Sequence, residues 1–224
     1  MGAVIGAILP HAVGIAISPV PIIAAILMLL SRRAKATSVG FLVGWLVGVF
    51  VATLVFAVLA AAVSTTAPSG ARPILGVVQL LLGLLLLLLA VRQWRKRPRP
   101  GVEPELPAWL KAVDRLTFGT SLGLGILLSA VNPKNLVLAA SAGAIIGVTN
   151  LNVGETVGTI GIFTLISSLT IAIPVIGYLF AAKRMERPLR ALHAWLVREN
   201  AVIMSILFLV LGAVIVGKGI ASLL

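Results

Sequence analysis

The apolar run from Phe118 to Thr149 carries one charge, Lys134, and one proline, Pro133, close to its middle. At ~1.5 Å of rise per residue a helix of that length exceeds the ~30 Å of bilayer hydrocarbon. An ammonium at mid-depth costs ~2.5 to 3.5 kcal/mol on insertion scales, so it must face a cavity or a partner. Pro133 removes a backbone donor and turns Asn132 away from helical geometry. The run is therefore expected to form two half-helices meeting at a break, with Asn132 capping the second and Pro133 in its first turn. Backbone groups freed at such a break are tolerated only where protein or a wet cavity meets them. Secondary transporters build substrate sites in this way.

Five further apolar runs, roughly 2–30, 38–64, 73–92, 155–182 and 200–223, are each long enough to span. With 60% hydrophobic and 11% charged residues, the chain reads as an integral membrane protein. The first run has no basic segment ahead of it and is too long and interrupted for a cleaved signal, so it reads as a retained span. The net charge of +12 would suggest nucleic acid in a soluble chain, but here the basic residues sit between the runs. Arg32, Arg33 and Lys35 follow run one; Arg92, Arg95, Lys96, Arg97, Arg99, Lys111 and Arg115 follow run three; Lys183, Arg184, Arg187, Arg190 and Arg198 follow run five. These three loops hold 15 of the 18 basic residues, which by the positive-inside rule gives six crossings with both termini outside and no nucleic-acid partner.

Run one repeats the device of run four: Ser18-Pro19-Val20-Pro21 interrupts it, with Ser18 expected to cap the half-helix that follows. Pro19 and Pro133 are 114 residues apart, and the same offset relates Gly40 to Gly154 and Gly44 to Gly158. Gly83 in run three answers to Gly212 in run six at an offset of 129, the difference matching an insertion between runs five and six. The fold expected is all-α, six transmembrane helices arranged as two inverted three-helix repeats with helices 1 and 4 broken. Residues 1–93 form the first repeat, 94–117 a cytoplasmic basic, Pro-rich linker, and 118–224 the second repeat with an amphipathic insertion at 183–199.

Gly40, Gly44 and Gly48 recur on one face of run two, and Gly154, Gly158 and Gly161 are expected to do similar work in run five. Small residues at that spacing permit close helix contact; packing within the chain is the first reading and a homodimer seam the alternative. In the linker, the face shared by Trp109, Leu110, Val113 and Leu116 suggests a short helix on the inner membrane surface, and Met185, Leu189, Leu192 and Leu196 suggest another. The arginines around the second would be drawn to anionic lipid headgroups.

No catalytic constellation is visible, and the chain is read as a non-enzyme without cofactor or metal. All six acidic residues fall in loops or at span ends, leaving no carboxylate proton relay inside the membrane. His11 and His193 lack ligand spacing, and the absence of cysteine excludes disulfides and thiolate sites. Lys134 has two readings. It donates to orphan carbonyls at a half-helix end, or it holds an anionic cargo beside the half-helix N-termini, which themselves favour anions. The candidate substrate-binding set is Ser18, Pro19 and Pro21 at the first break and Asn132, Pro133, Lys134 and Asn135 at the second, with His11 in the first run.

At these breaks the chain resembles the lysine-exporter superfamily, whose members carry a proline break in the first span and Asn-Pro-Lys in the fourth. Asn132-Pro133-Lys134 fits directly, whereas Ser18-Pro19-Val20-Pro21 departs from the Pro-Gly-Pro more usual in amino-acid exporters. Together with the basic Pro-rich loop, these motifs are more similar to the actinobacterial sulfolipid-addressing and glycopeptidolipid-addressing proteins. That resemblance implies a transporter moving a cell-envelope glycolipid, or an amphipathic anionic precursor, across the inner membrane, with membrane lipids as its partners. The alternatives are a small-solute, amino-acid-like exporter and a non-transporting scaffold for envelope-lipid synthesis or export proteins.

Overall fold

The computed structural model describes residues 1–66, 71–95, 115–149 and 151–221, so most of the linker, including the surface helix expected after Pro107, lies outside the described residues. Every extended element among the described residues is an α-helix: α1 (Gly2–Ala16), α2 (Pro19–Leu29), α3 (Ala34–Thr66), α4 (Ala71–Arg95), α5 (Phe118–Ala130), α6 (Pro133–Gly147), α7 (Val153–Ala182) and α8 (Arg184–Ala221). Most of α3, and α7 and α8, are long and apolar enough to cross a membrane, and the crossings number five if the bent pairs α1–α2 and α5–α6 each count as one.

Both bends fall at the prolines. Pro19 holds Ser18 extended (φ −71°, ψ 109°) and the pair turns through 54°; Pro133 does the same to Asn132 (φ −61°, ψ 118°), and that pair turns through 65°. Asn132 caps as expected, its Oδ1 accepting from the Lys134 amide at 3.1 Å. Ser18 occupies the corresponding position, but its side chain makes no capping hydrogen bond. Of the two amides an N-cap serine can accept from, those of the second and third helical residues, Pro21 removes the third, leaving only that of Val20.

The chain divides into two compact units that cut across its halves: Met1–Ser64 with Leu106–Ala194, and Thr65–Glu105 with Trp195–Leu224. In the first unit α3 is the spine. Gly40, Gly44 and Gly48 lie against the α5 backbone at Phe118, Leu122 and Ile126, and Gly125 lies against Phe41 and Trp45 in return. Farther on, Gly143 and Gly147 of α6 press against Thr53 and Ala57, with Ala60 next. Residue numbers rise together on both sides, so α5 and then α6 advance along α3 in one direction, over about 30 Å of helix between Gly40 and Ala60. The bent pair α5–α6 therefore advances along α3 and does not double back on itself. α1 runs parallel to α7, with Met1 beside Gly158 and Ala16 bonded to Thr170, and antiparallel to α6. α2 is apolar all round and buries nearly every side chain, as a core helix does.

The expectation for Gly154, Gly158 and Gly161 is corrected. Among the described residues nothing comes within 4 Å of a Cβ at Gly161, only the Met1 methyl near Gly158 and only the Asn152 side chain near Gly154, so no described helix backbone closes on this face of α7. In the second unit α4 and the later part of α8 pack antiparallel. Gly83 meets Gly212 and Val216, Gly219 meets Leu80, and Ser205 Oγ donates to the Ala90 carbonyl at 3.0 Å.

The amphipathic insertion expected at 183–199 falls, from Arg184 on, within α8. Residues 184–199 form the beginning of α8, which is helical for 38 residues. Nothing between Leu189 and Glu199 ends a helix, the stretch being mostly alanine, leucine and arginine. α7 and α8 meet at a sharp kink where Ala181 is non-helical (φ −141°, ψ 48°), and the Met185 side chain folds back to within contact of Gly177.

Candidate functional site at the end of α1

Where α1 stops, its last carbonyls lose their intrahelical partners. The Ser18 amide, which would ordinarily reach Gly14 O, bonds Ile15 O at 3.1 Å, and Pro21 has no hydrogen to offer Ile17. Two side chains from elsewhere meet the orphaned groups. Lys134 Nζ donates to Gly14 O at 2.8 Å, and Thr170 Oγ1 of α7 donates to Ala16 O at 2.6 Å. A cation at a helix C-terminus also opposes the negative end of the helix dipole. The first of the two readings of Lys134 is thus realised with a carbonyl from the other broken run, not its own.

Lys134 is buried, 4% exposed, and Gly14 O is its one side-chain hydrogen-bond partner among the described residues. Asn135, fully buried, turns the other way: its Nδ2 donates to Leu128 O of α5 at 3.1 Å, meeting a carbonyl freed by the second break. Its Oδ1 is buried with no partner among the described residues. One turn before Gly14, His11 Nε2 lies 2.9 Å from Ser141 Oγ, so the α1–α6 seam carries two polar contacts, both buried or nearly so.

Of the candidate residues, the structure brings together His11, the α1 terminus ahead of Ser18, Lys134 and Asn135. Pro19, Pro21 and Pro133 act through the backbone breaks they cause, and Asn132 through its cap. Ser141 and Thr170 belong to the same constellation and were not singled out from sequence. Each is a hydroxyl within an apolar helix, and Ser141 lies seven residues beyond Lys134, on the same helical face. The described acids take other roles: Glu155 and Asn152 cap α7 reciprocally (2.9 and 3.1 Å), Glu186 pairs with Arg190 and Glu199 with Arg198. No cluster of histidine and acidic residues among the described residues is suited to a metal.

An all-helical chain with several apolar helices able to cross the bilayer, two of them proline-broken pairs, is a membrane protein. It belongs to the family described as Sap, sulfolipid-1-addressing protein, which it matches over residues 8–221, nearly its whole length, and the family suggests a role in addressing sulfolipid or related lipids. No curated protein and no solved structure matches the chain.

Proposed function

We propose that the protein is a secondary-type transporter that moves an anionic, amphipathic envelope lipid, of the sulfated-glycolipid kind, across the inner membrane. In this reading it carries out no covalent chemistry and takes no cofactor. The observation that carries it is the buried amino group of Lys134, placed where two broken helices meet and held by a single backbone carbonyl. A group with, among the described residues, one neutral acceptor and no carboxylate bonded to it is suited to exchange that acceptor for a sulfate or phosphate, with the positive N-terminal ends of α2 and α6 as further attraction.

Six crossings and inverted repeats belong to the same proposal. Supporting them are the two similar bends, the directions of the first unit's helices, α1 with α7 one way and α3 with α5–α6 the other, and the face-to-face packing of Gly83 and Gly212, which two-fold-related residues near an axis would show. The basic loops then place both termini outside.

Reconstituted vesicles containing a labelled sulfated glycolipid test the reading. Wild type should translocate the lipid, Lys134→Met should lose most of the activity and Lys134→Arg should keep part of it, since arginine retains charge but changes donor geometry. Full transport per folded molecule in Lys134→Met would remove the lysine from the mechanism. No translocation by the wild type would favour a scaffold for lipid synthesis or export proteins, and uptake of a small amino acid instead would favour the solute exporter.

A further inference from the structure

If the two halves are related as proposed, α1 corresponds to α5 and α2 to α6, so the packing of α1 on α6 has its counterpart in α5 on α2. The structure is unequal in this respect. α1 packs along α6, whereas among the described residues α2 does not pack along α5. Burial repeats the difference: α1 buries seven of its 15 residues, but α5 buries only Ser121, Gly125 and Ser129, the stripe that faces α3. One end of the pseudosymmetric pair is sealed and the other is parted. The sealed end is where Lys134 meets Gly14 and His11 meets Ser141.

We infer that the α1–α6 seam is a closed gate and that Lys134 is its latch, released when the anionic headgroup of the cargo replaces the Gly14 carbonyl as partner of the ammonium. The inference rests on the transporter reading and adds to it the step by which cargo opens the path. Exchange of partners suits the energetics. An ionic hydrogen bond to sulfate or phosphate is stronger than one to a neutral carbonyl, and an apolar or neutral lipid has nothing to offer the lysine. Cargo and gate then compete for one group, so only a lipid of the right charge shifts the equilibrium.

Leu138 lies between Lys134 and Ser141 on their shared face of α6 and is 1% exposed. In a chain without cysteine, Leu138→Cys is the single thiol, and nanodiscs expose both membrane faces to a charged thiol reagent. In phosphatidylcholine nanodiscs the reporter should be protected in the wild-type background and react roughly tenfold faster or more with Lys134→Met, the loss of one charge-assisted hydrogen bond. It should stay protected with Lys134→Arg, which keeps a donor, and with Thr170→Val, which frees Ala16 but leaves the seam. Adding a sulfated glycolipid should expose the reporter while Lys134 is present. Protection in Lys134→Met, or equal exposure in Thr170→Val, would overturn the latch. A reporter unmoved by a lipid that the same protein still translocates in vesicles would overturn the exchange step alone, and absence of translocation would overturn the transporter reading instead.

Discussion

Glycine sets how closely the helices of the first unit approach, and two positions isolate the effect. A methyl group at Gly44 would run into the Leu122 carbonyl, part of a helix backbone that cannot swing aside, whereas one at Gly161 would meet nothing within 4 Å. Gly44→Ala should therefore destabilise the protein by about 1–3 kcal/mol, while Gly161→Ala should be neutral or stabilising by up to about 1 kcal/mol through helix propensity. Thermal unfolding in detergent distinguishes them, and equal melting temperatures would refute the assigned packing. The close contact at Gly40, Gly44 and Gly48 was legible from spacing alone. Its absence at Gly161 was not, because spacing reports a smooth face and says nothing of whether another helix arrives there. The same limit applied at Lys134. Charge, depth and the adjoining proline located it, but its acceptor is the carbonyl of a glycine 120 residues away, orphaned because the next turn bends toward Ile15.

Helix ends were read well where a side chain does the work and poorly where it does not. Asn132 caps α6 as its position suggested, whereas Ser18 makes no capping bond: Pro21 removes the donor at the third residue of α2, and the Val20 amide, equivalent to the one Asn132 uses, is not met by the serine side chain. At the start of α7, Asn152 and Glu155 exchange backbone and side-chain hydrogen bonds, an arrangement identifiable from residue type and spacing. Asn152→Ala should cost about 1 kcal/mol, seen as a lower melting temperature, with lipid transport per folded molecule unchanged; loss of transport at full stability would give the cap a role beyond anchoring α7. The beginning of α8 shows a different limit: arginines among leucines describe an amphipathic helix equally well whether it ends or runs on, and in the structure it runs on, with Pro188 inside its opening turns.

For the whole molecule, α1 and α7 of the first unit run one way and α3 and α5–α6 the other. Val153, 82% exposed at the start of α7, and Ala36, exposed beside the first basic cluster, should then face opposite sides of the membrane. In intact cells an impermeant thiol reagent should label Val153→Cys and leave Ala36→Cys untouched; the opposite pattern would invert the orientation taken from the basic loops.

The track that α3 provides has a consequence for how the protein is made. A chain emerges from the ribosome N-terminus first, so the glycine-lined surface of α3 and the Gly14 carbonyl are both synthesised before the segment 118–149. The one run that carries a charge at its centre enters the bilayer last among these partners, and the lysine arrives in a membrane that already contains its acceptor.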